Sequence, residues 1–162
     1  GKLSLKLKIY NMITIEEFKK KQTTKSRLLG LDLGKKRIGV AICDEQQVIA
    51  TPYKTIIKDN FDQFLNDLKL LIKDNNIGGI IVGNPINMDG SAGSSAQSVN
   101  DTVNLLSKNI TLPIILWDER LSSVGAYKLT SLLDVKASKK MKSIDKNAAA
   151  FILQGAIDFL RN

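Results

Sequence analysis

Between Arg27 and Thr55 three short apolar runs follow one another with only tight turns between them. Leu28–Leu33 leads through Gly34-Lys35-Lys36 into Arg37–Cys43, and Asp44-Glu45-Gln46 leads on to a run from Val48 to about Thr55. Connections this short join antiparallel neighbours, because a parallel pair needs a crossover of about a dozen residues or more. A three-stranded antiparallel meander is therefore expected here.

Beyond it the period changes. Phe61, Phe64, Leu65, Leu68, Leu71 and Ile72 recur at helical spacing. Gly78-Gly79 precedes a buried strand, Ile80–Val82, and a polar Gly/Ser-rich loop runs from Gly83 to Ser95. Val99, Val103 and Leu106 mark a helix, and Ile114–Trp117 a further strand. Ser122 or Ser123 can cap a helix that carries Val124, Leu129, Leu132 and Leu133. Residues 134–144 read as a basic loop. A last helix is expected from about Asp145 to Leu160, with Ala149, Ile152, Leu153, Ala156 and Leu160 inward. Strand–helix–strand units pair their strands in parallel through right-handed crossovers. The order βββαβαβαα thus predicts an α/β domain. Its five-stranded mixed sheet has three antiparallel strands, then two parallel ones, and is flanked by helices.

Residues 1–26 stand apart as a basic N-terminal arm, flexible or in part an addition to the natural chain, with residues 27–162 as the domain. Lys2 to Ile9 alternates polar and apolar, as a half-buried strand would, and Met12 is an alternative start. Lys2, Lys6 and Lys8 interrupt the apolar residues, so no signal-peptide core forms, and no run is long enough to span a bilayer. A cytoplasmic location without membrane contact is expected. The net charge is +8, and residues 1–27 contribute most of it, with eight Lys/Arg against two Asp/Glu.

The chain has one cysteine and no histidine. Ser-His-Asp and Cys-His catalytic sites and Cys/His zinc sites are thereby excluded. Cys43, inside an apolar run, reads as a small core residue. Chemistry falls to carboxylates, lysines, hydroxyls or a bound ion. Asp32 is the one charge in its strand, where desolvating a carboxylate costs several kcal/mol unless a partner such as a divalent metal offsets it. A strand-end turn with Gly34 is the simpler alternative. Glu119 follows the strand Ile114–Trp117, and the carboxyl ends of parallel strands are where such sheets place their sites. Of Asp118 and Glu119, one can line a site while the other pairs with Arg120. Asp145 opens the last helix, as an N-cap or as a third site carboxylate. Three carboxylates on separate elements suit Mg²⁺ or Mn²⁺, which take oxygen ligands, and two such ions about 4 Å apart can assist phosphodiester cleavage.

The loop from Gly83 through Asn87 and Asp89 to Gly90 lacks the Gly-Lys-Ser/Thr ending of a P-loop. It is either a structural turn or a close backbone approach to phosphate. Lys136, Lys139, Lys140, Lys142 and Lys146 flank Asp145. Clusters of this kind attract a phosphate backbone, although they also occur as solvated surface.

Four stretches together resemble the YqgF family, also called RuvX, of pre-16S rRNA nucleases and Holliday junction resolvases. They are Gly30-Leu31-Asp32-Leu33-Gly34-Lys35-Lys36-Arg37-Ile38-Gly39-Val40-Ala41, Ile81-Val82-Gly83 through Gly90, Asp118-Glu119-Arg120-Leu121-Ser122-Ser123, and Asp145 through Gln154. The resemblance covers nearly all of residues 28–160. It implies an RNase H-like fold and a divalent-metal nuclease, with the catalytic and metal-binding roles on Asp32, Glu119 and Asp145. It further implies 5′-end trimming of precursor 16S rRNA in ribosome biogenesis, with junction resolution in DNA recombination as the alternative. Lys35, Lys36, Arg37, Arg120, Lys136, Lys139, Lys140 and Lys142 would hold the nucleic-acid backbone. Asn84 departs from an apolar residue usual in the family. Gly125 stands where a Glu often follows the Ser/Thr pair, and the arm before Arg27 is long.

The expected partner is precursor rRNA or a ribosomal particle, or else a four-way DNA junction, met by a monomer or a homodimer. Two rival classes fit parts of the same pattern. An actin-like ATPase would share the Asp32-Leu33-Gly34 turn but needs a second such domain. A non-catalytic RNA-binding assembly factor would keep the fold without the chemistry.

Overall fold

The computed structural model of the chain describes residues 11–122 and 138–162, and the side chains of 138–145 lie outside the described set. The elements in chain order are α1 (Ile15–Lys21), β1 (Arg27–Leu33), β2 (Arg37–Cys43), β3 (Ala50–Ile57), α2 (Phe61–Asp74), β4 (Ile77–Asn84), α3 (Ser94–Asn109), β5 (Ile114–Asp118), a single 3₁₀ turn (Glu119–Leu121) and α4 (Ser138–Arg161). The sheet order is β3-β2-β1-β4-β5. β1 pairs antiparallel with β2, and β2 with β3, while β4 runs parallel to both β1 and β5. This is the mixed sheet expected from the turn lengths.

β1 is central and buried on both faces, so it reads as an almost unbroken apolar run. One face packs on α2 and α3, through Leu29, Leu31, Phe64, Leu68, Val103 and Leu106. The other packs on α1 and α4, through Leu28, Phe18, Ile152, Leu153 and Ile157. α2 buries Phe64, Leu65, Leu68 and Leu71 along one stripe, and Asn60 caps it by accepting from the amide of Gln63 at 2.8 Å. Full burial of each such side chain stabilises by about 1.5–3 kcal/mol, an upper figure for a compact unfolded chain.

Some boundaries differ from the sequence expectation, each for a local reason. β3 starts at Ala50, not Val48, because the Asp44 carboxylate accepts from the amides of Gln46, Val48 and Ile49 and holds 44–49 as a turn. Gln47 sits in that turn with φ +58°. β4 begins at Ile77 and includes both glycines, with Ser26, Leu28 and Phe18 crowding the space a side chain would need there. α4 begins at Ser138, so Asp145 does not open a helix and residues 138–144 are not a loop. Nothing in Ser-Lys-Lys-Met-Lys-Ser-Ile breaks a helix, and the long basic side chains there are good helix formers. The expected helix carrying Val124 to Leu133, the loop residues 134–137 and the strand Lys2 to Ile9 lie outside the described residues.

Residues 11–22, set apart above as part of an arm, are tied to the rest of the molecule. Thr14 caps α1 by accepting from the Glu17 amide at 3.1 Å, and Ile15 and Phe18 are buried against the sheet. Ile114 donates to the carbonyl of Asn11, and Ile13 donates to the carbonyl of Ile114 at 3.1 Å, which extends the β5 edge.

Candidate active site

The carboxyl ends of β1, β4 and β5 lie side by side, and each brings one feature to the same edge of the sheet. Asp32 is the last residue but one of β1, pairs across to Gly39 of β2 and is 8% exposed. Side chains alternate along a strand, so Asp32 shares the α4 face with Gly30. Gly30 lies so close to α4 that a Cβ built on it would stand 2.7 Å from Leu153 Cβ and 3.0 Å from the carbonyl oxygen of Ala149. On β4 the neighbouring position is Gly83. A Cβ there would collide with Ile152 Cδ1 and stand 3.0 Å from Glu119 Oε2. The missing side chain at Gly83 is therefore what leaves room for the Glu119 carboxylate.

β5 ends at Asp118, whose carboxylate is taken up locally. It accepts from the Arg120 amide at 2.9 Å and from the Arg120 guanidinium through Nε (3.1 and 3.0 Å) and Nη2 (2.7 Å). The Arg120 side chain, above all through these bonds, holds Asp118 below the usual carboxylate range, and Asp118 in turn raises Arg120. Of the two acids left open by the sequence, Asp118 pairs with Arg120 and Glu119 extends over Gly83.

Helix α4 runs antiparallel to β1. Its C-terminal Arg161 donates to the carbonyl of Val48 at 2.7 Å, near the start of β1, while Ala149 stands beside Gly30. One helical turn before Ala149 is position 145, about 6 Å further along at 1.5 Å per residue. Asp32 is two residues beyond Gly30, about 6.6 Å at 3.3 Å per residue. The backbone at 145 is thereby level with Asp32, on the helix that covers the same sheet face. The Asp145 side chain is outside the described set, and among the described residues no three Asp, Glu or Cys groups converge as a metal site.

The cations divide. Lys35 and Lys36 are exposed in the β1–β2 turn, which the Gly34 amide closes onto the Arg37 carbonyl at 2.9 Å, immediately beyond Asp32. Arg37 is half-buried, with no hydrogen-bond partner at its buried Nε. Lys139, Lys140 and Lys142 belong to the first turns of α4, and Lys136 lies outside the described residues. The sequence reading missed Lys58. Its amide donates to the Lys36 carbonyl at 2.8 Å, so it stands beside the same turn. Only the strand register reveals that adjacency. Lys35 and Lys58 also line a cavity of about 370 Å³ with Ser94, Ser95 and Ser98.

The loop after β4 folds on itself. Asn87 donates from its amide to the Ser91 carbonyl and accepts there from Gly90, while Asp89 accepts from the Ser91 amide and hydroxyl. Those Ser91 bonds lower the Asp89 pKa. Asn87 and Asp89 are thus occupied within the loop, and among the described contacts neither reaches Asp32.

The donor set fits a hard divalent cation. Asp32 and Glu119 offer oxygens from the ends of β1 and β5, on either side of β4, Gly83 of β4 keeps the space beside Glu119 open, and the helix over that face carries a third carboxylate at 145. A sheet of this order, with one carboxylate near the end of its central strand and another just past its parallel edge strand, defines the class: an RNase H-like nuclease. Residues 26–159 match the RuvX family, described as Holliday junction resolvase. A protein of Pelagibacter ubique named "Putative pre-16S rRNA nuclease" is 70% identical over 151 residues, which is 93% of this chain and 100% of that protein. One of the same name from Chelativorans is 45% identical over 93% of this chain and 94% of its own length. Among solved structures, Thermus thermophilus RuvC in complex with a Holliday junction substrate superposes with a TM-score of 0.54. It is 13% identical and covers 84% of this chain and 96% of that one, a likeness of fold alone. The chain belongs to the RuvX family.

Proposed function

We propose that the chain is a divalent-metal-dependent nuclease that trims the 5′ end of precursor 16S rRNA, with Asp32, Glu119 and Asp145 as its catalytic and metal-binding residues. The observation that carries this reading is the Gly83 gap, which lets the Glu119 carboxylate lie one strand over from Asp32. The names of relatives covering 93% of the chain support rRNA as the substrate. The three carboxylates would hold Mg²⁺ or Mn²⁺ as a pair, in the manner of two-metal sites. Such ions supply positive charge to the phosphate and acidify the attacking water.

The protein's own groups do the rest. Asp32 and Glu119 fix oxygen ligands on rigid strand ends, and Lys35, Lys36 and Lys58 line up the backbone through its phosphates. Hydrolysis forms one P–O bond from water and breaks one P–O bond to a sugar oxygen, which leaves with a proton. Nothing in this scheme requires histidine.

The test is Asp32→Asn, which keeps shape and removes one charged ligand. Loss of metal stabilisation worth several kcal/mol lowers cleavage by about two to four decades. RNA binding should survive, and the Tm rise on adding Mn²⁺ should shrink, because linkage needs metal bound to the native state. Full cleavage by this variant would sink the assignment. Matched precursor-rRNA and four-way-junction substrates separate the two nuclease readings. The junction reading is supported by the family description. Salt-sensitive RNA binding without any cleavage in Mg²⁺ or Mn²⁺ would leave a non-catalytic assembly factor.

A further inference from the structure

Arg120 is among the cations expected to hold phosphate, but its side chain is already committed to Asp118. It gives three guanidinium contacts and one amide bond to Asp118, with side chains 33% and 21% exposed. A phosphate at Arg120 would have to displace a carboxylate held in bidentate geometry, which is the strongest pairing a guanidinium makes. The remaining nitrogen points elsewhere: Nη1 lies 3.6 Å from the Cβ position of Gly90. Gly90 has φ +89°, a left-handed conformation that favours glycine, so the turn at Asn87–Ser91 is a fixed shape for Arg120 to face.

We infer that Arg120 is a positioning residue. Its guanidinium clamps Asp118 and faces the Gly90 turn, and this sets the Glu119 carboxylate over Gly83 and the position of the Asn87–Ser91 loop beside Arg120. The chain of contacts is short. Asp118 is the last residue of β5, and its side chain caps the 3₁₀ turn that Glu119 begins. While Arg120 holds that cap, the backbone at Glu119 has one direction, and Oε2 stays 3.0 Å from the Cβ position of Gly83. Release of the clamp frees the cap and the loop together. The two are otherwise on separate elements, β5 and the β4–α3 connection. This inference rests on the reading of Glu119 as a catalytic ligand.

The experiment compares Arg120→Lys, Asp118→Asn, their double variant and Glu119→Gln, on precursor-rRNA and four-way-junction substrates in Mn²⁺. Lysine keeps the charge and most of the stem but cannot make the bidentate pair, so folding is preserved. A clamp predicts that kcat falls at least about tenfold in each single variant, with KM little changed and the double variant no worse than the weaker single. For Arg120→Met, the salt slope of binding stays that of the parent, whereas a lost phosphate contact lowers it by about 0.7–0.9. Hydrogen exchange at the Gly90 amide, which donates to Asn87 at 2.8 Å, should quicken in Arg120→Lys. A lowered salt slope with unchanged Gly90 exchange makes Arg120 a phosphate ligand and overturns the inference. Parental kcat in Arg120→Lys and Asp118→Asn beside an inactive Glu119→Gln also overturns it, and leaves the active-site reading intact. Parental cleavage by Glu119→Gln instead removes the active-site reading itself.

Discussion

Gly30→Ala tests the packing that brings α4 down onto the strand carrying Asp32. The added Cβ would stand 2.7 Å from Leu153 Cβ and 3.0 Å from the Ala149 carbonyl oxygen. Carbon atoms rest at about 3.5–4.0 Å, so α4 must retreat by about 1 Å. Neither contact is the far end of a flexible side chain, so rotation cannot relieve them. Overpacking of this kind costs about 1–3 kcal/mol, offset in part by about 0.4–1 kcal/mol because alanine narrows the unfolded ensemble. The net is up to about 2.6 kcal/mol, so at about 2–4 °C per kcal/mol for a domain of this size Tm should fall by up to roughly 10 °C. The catalytic effect should be larger than the thermal one. Position 145 lies one turn up the displaced helix, and a misplacement of about 1 Å in a catalytic group costs on the order of 10²-fold in rate. The assays are a thermal melt and Mn²⁺-dependent cleavage at saturating substrate. Gly93→Ala is the control, since its Cβ would meet only Asn87 atoms at 3.4 Å or beyond. If Gly30→Ala melts and cleaves like the parent, the close approach of α4 to β1 is not what the site depends on.

Three further outcomes are expected. Phe18→Ala removes a buried ring from the α1 contact and should destabilise by about 3–5 kcal/mol, with kcat retained in the folded fraction; an unchanged melt would mean that α1 does not support the domain. Replacing Lys139, Lys140 and Lys142 with Ala should lower the salt slope of RNA binding by about 2–3 if all three meet phosphates, and an unchanged slope would make that turn of α4 a solvated surface. Asp44 is held below the ordinary carboxylate range, first by the Ile49 amide and then by those of Val48 and Gln46. Its folded pKa is depressed, so its contribution to stability is present above the unfolded value of about 3.9 and is lost as pH falls through the folded value. Asp44→Asn should therefore flatten the fall in Tm below about pH 4; an acid limb as steep as the parent's would show that this turn does not govern it.

Much of the candidate site was legible because its signals are local. Asp32 stood out as the lone charge in an apolar strand, and Glu119 as an acid just past another. The α1 helix was legible too but went unread: Thr14-Ile15-Glu16-Glu17 has the Thr-x-x-Glu pattern of a capped helix start. The start of α4 was misplaced. A run of lysines resembles a loop by polarity, whereas helix formation there depends on propensity and on the absence of a breaker.

By itself the sequence determined the five strands and the helices α2 and α3 to within a few residues, because the period of the apolar residues is set by backbone geometry within each segment. It also determined that the first three strands are antiparallel, since turns of this length permit nothing else. The tertiary structure decided what those patterns cannot encode. It placed β1 between β2 and β4, so that Asp32 and Glu119 flank the strand carrying Gly83. It assigned Arg120 to Asp118, and it gave Gly30 and Gly83 their purpose as places where a side chain would collide with α4 or with Glu119. These are contacts between residues far apart in the chain. A residue's type states what it can bind or bury, and only the packing of one element on another states what stands beside it.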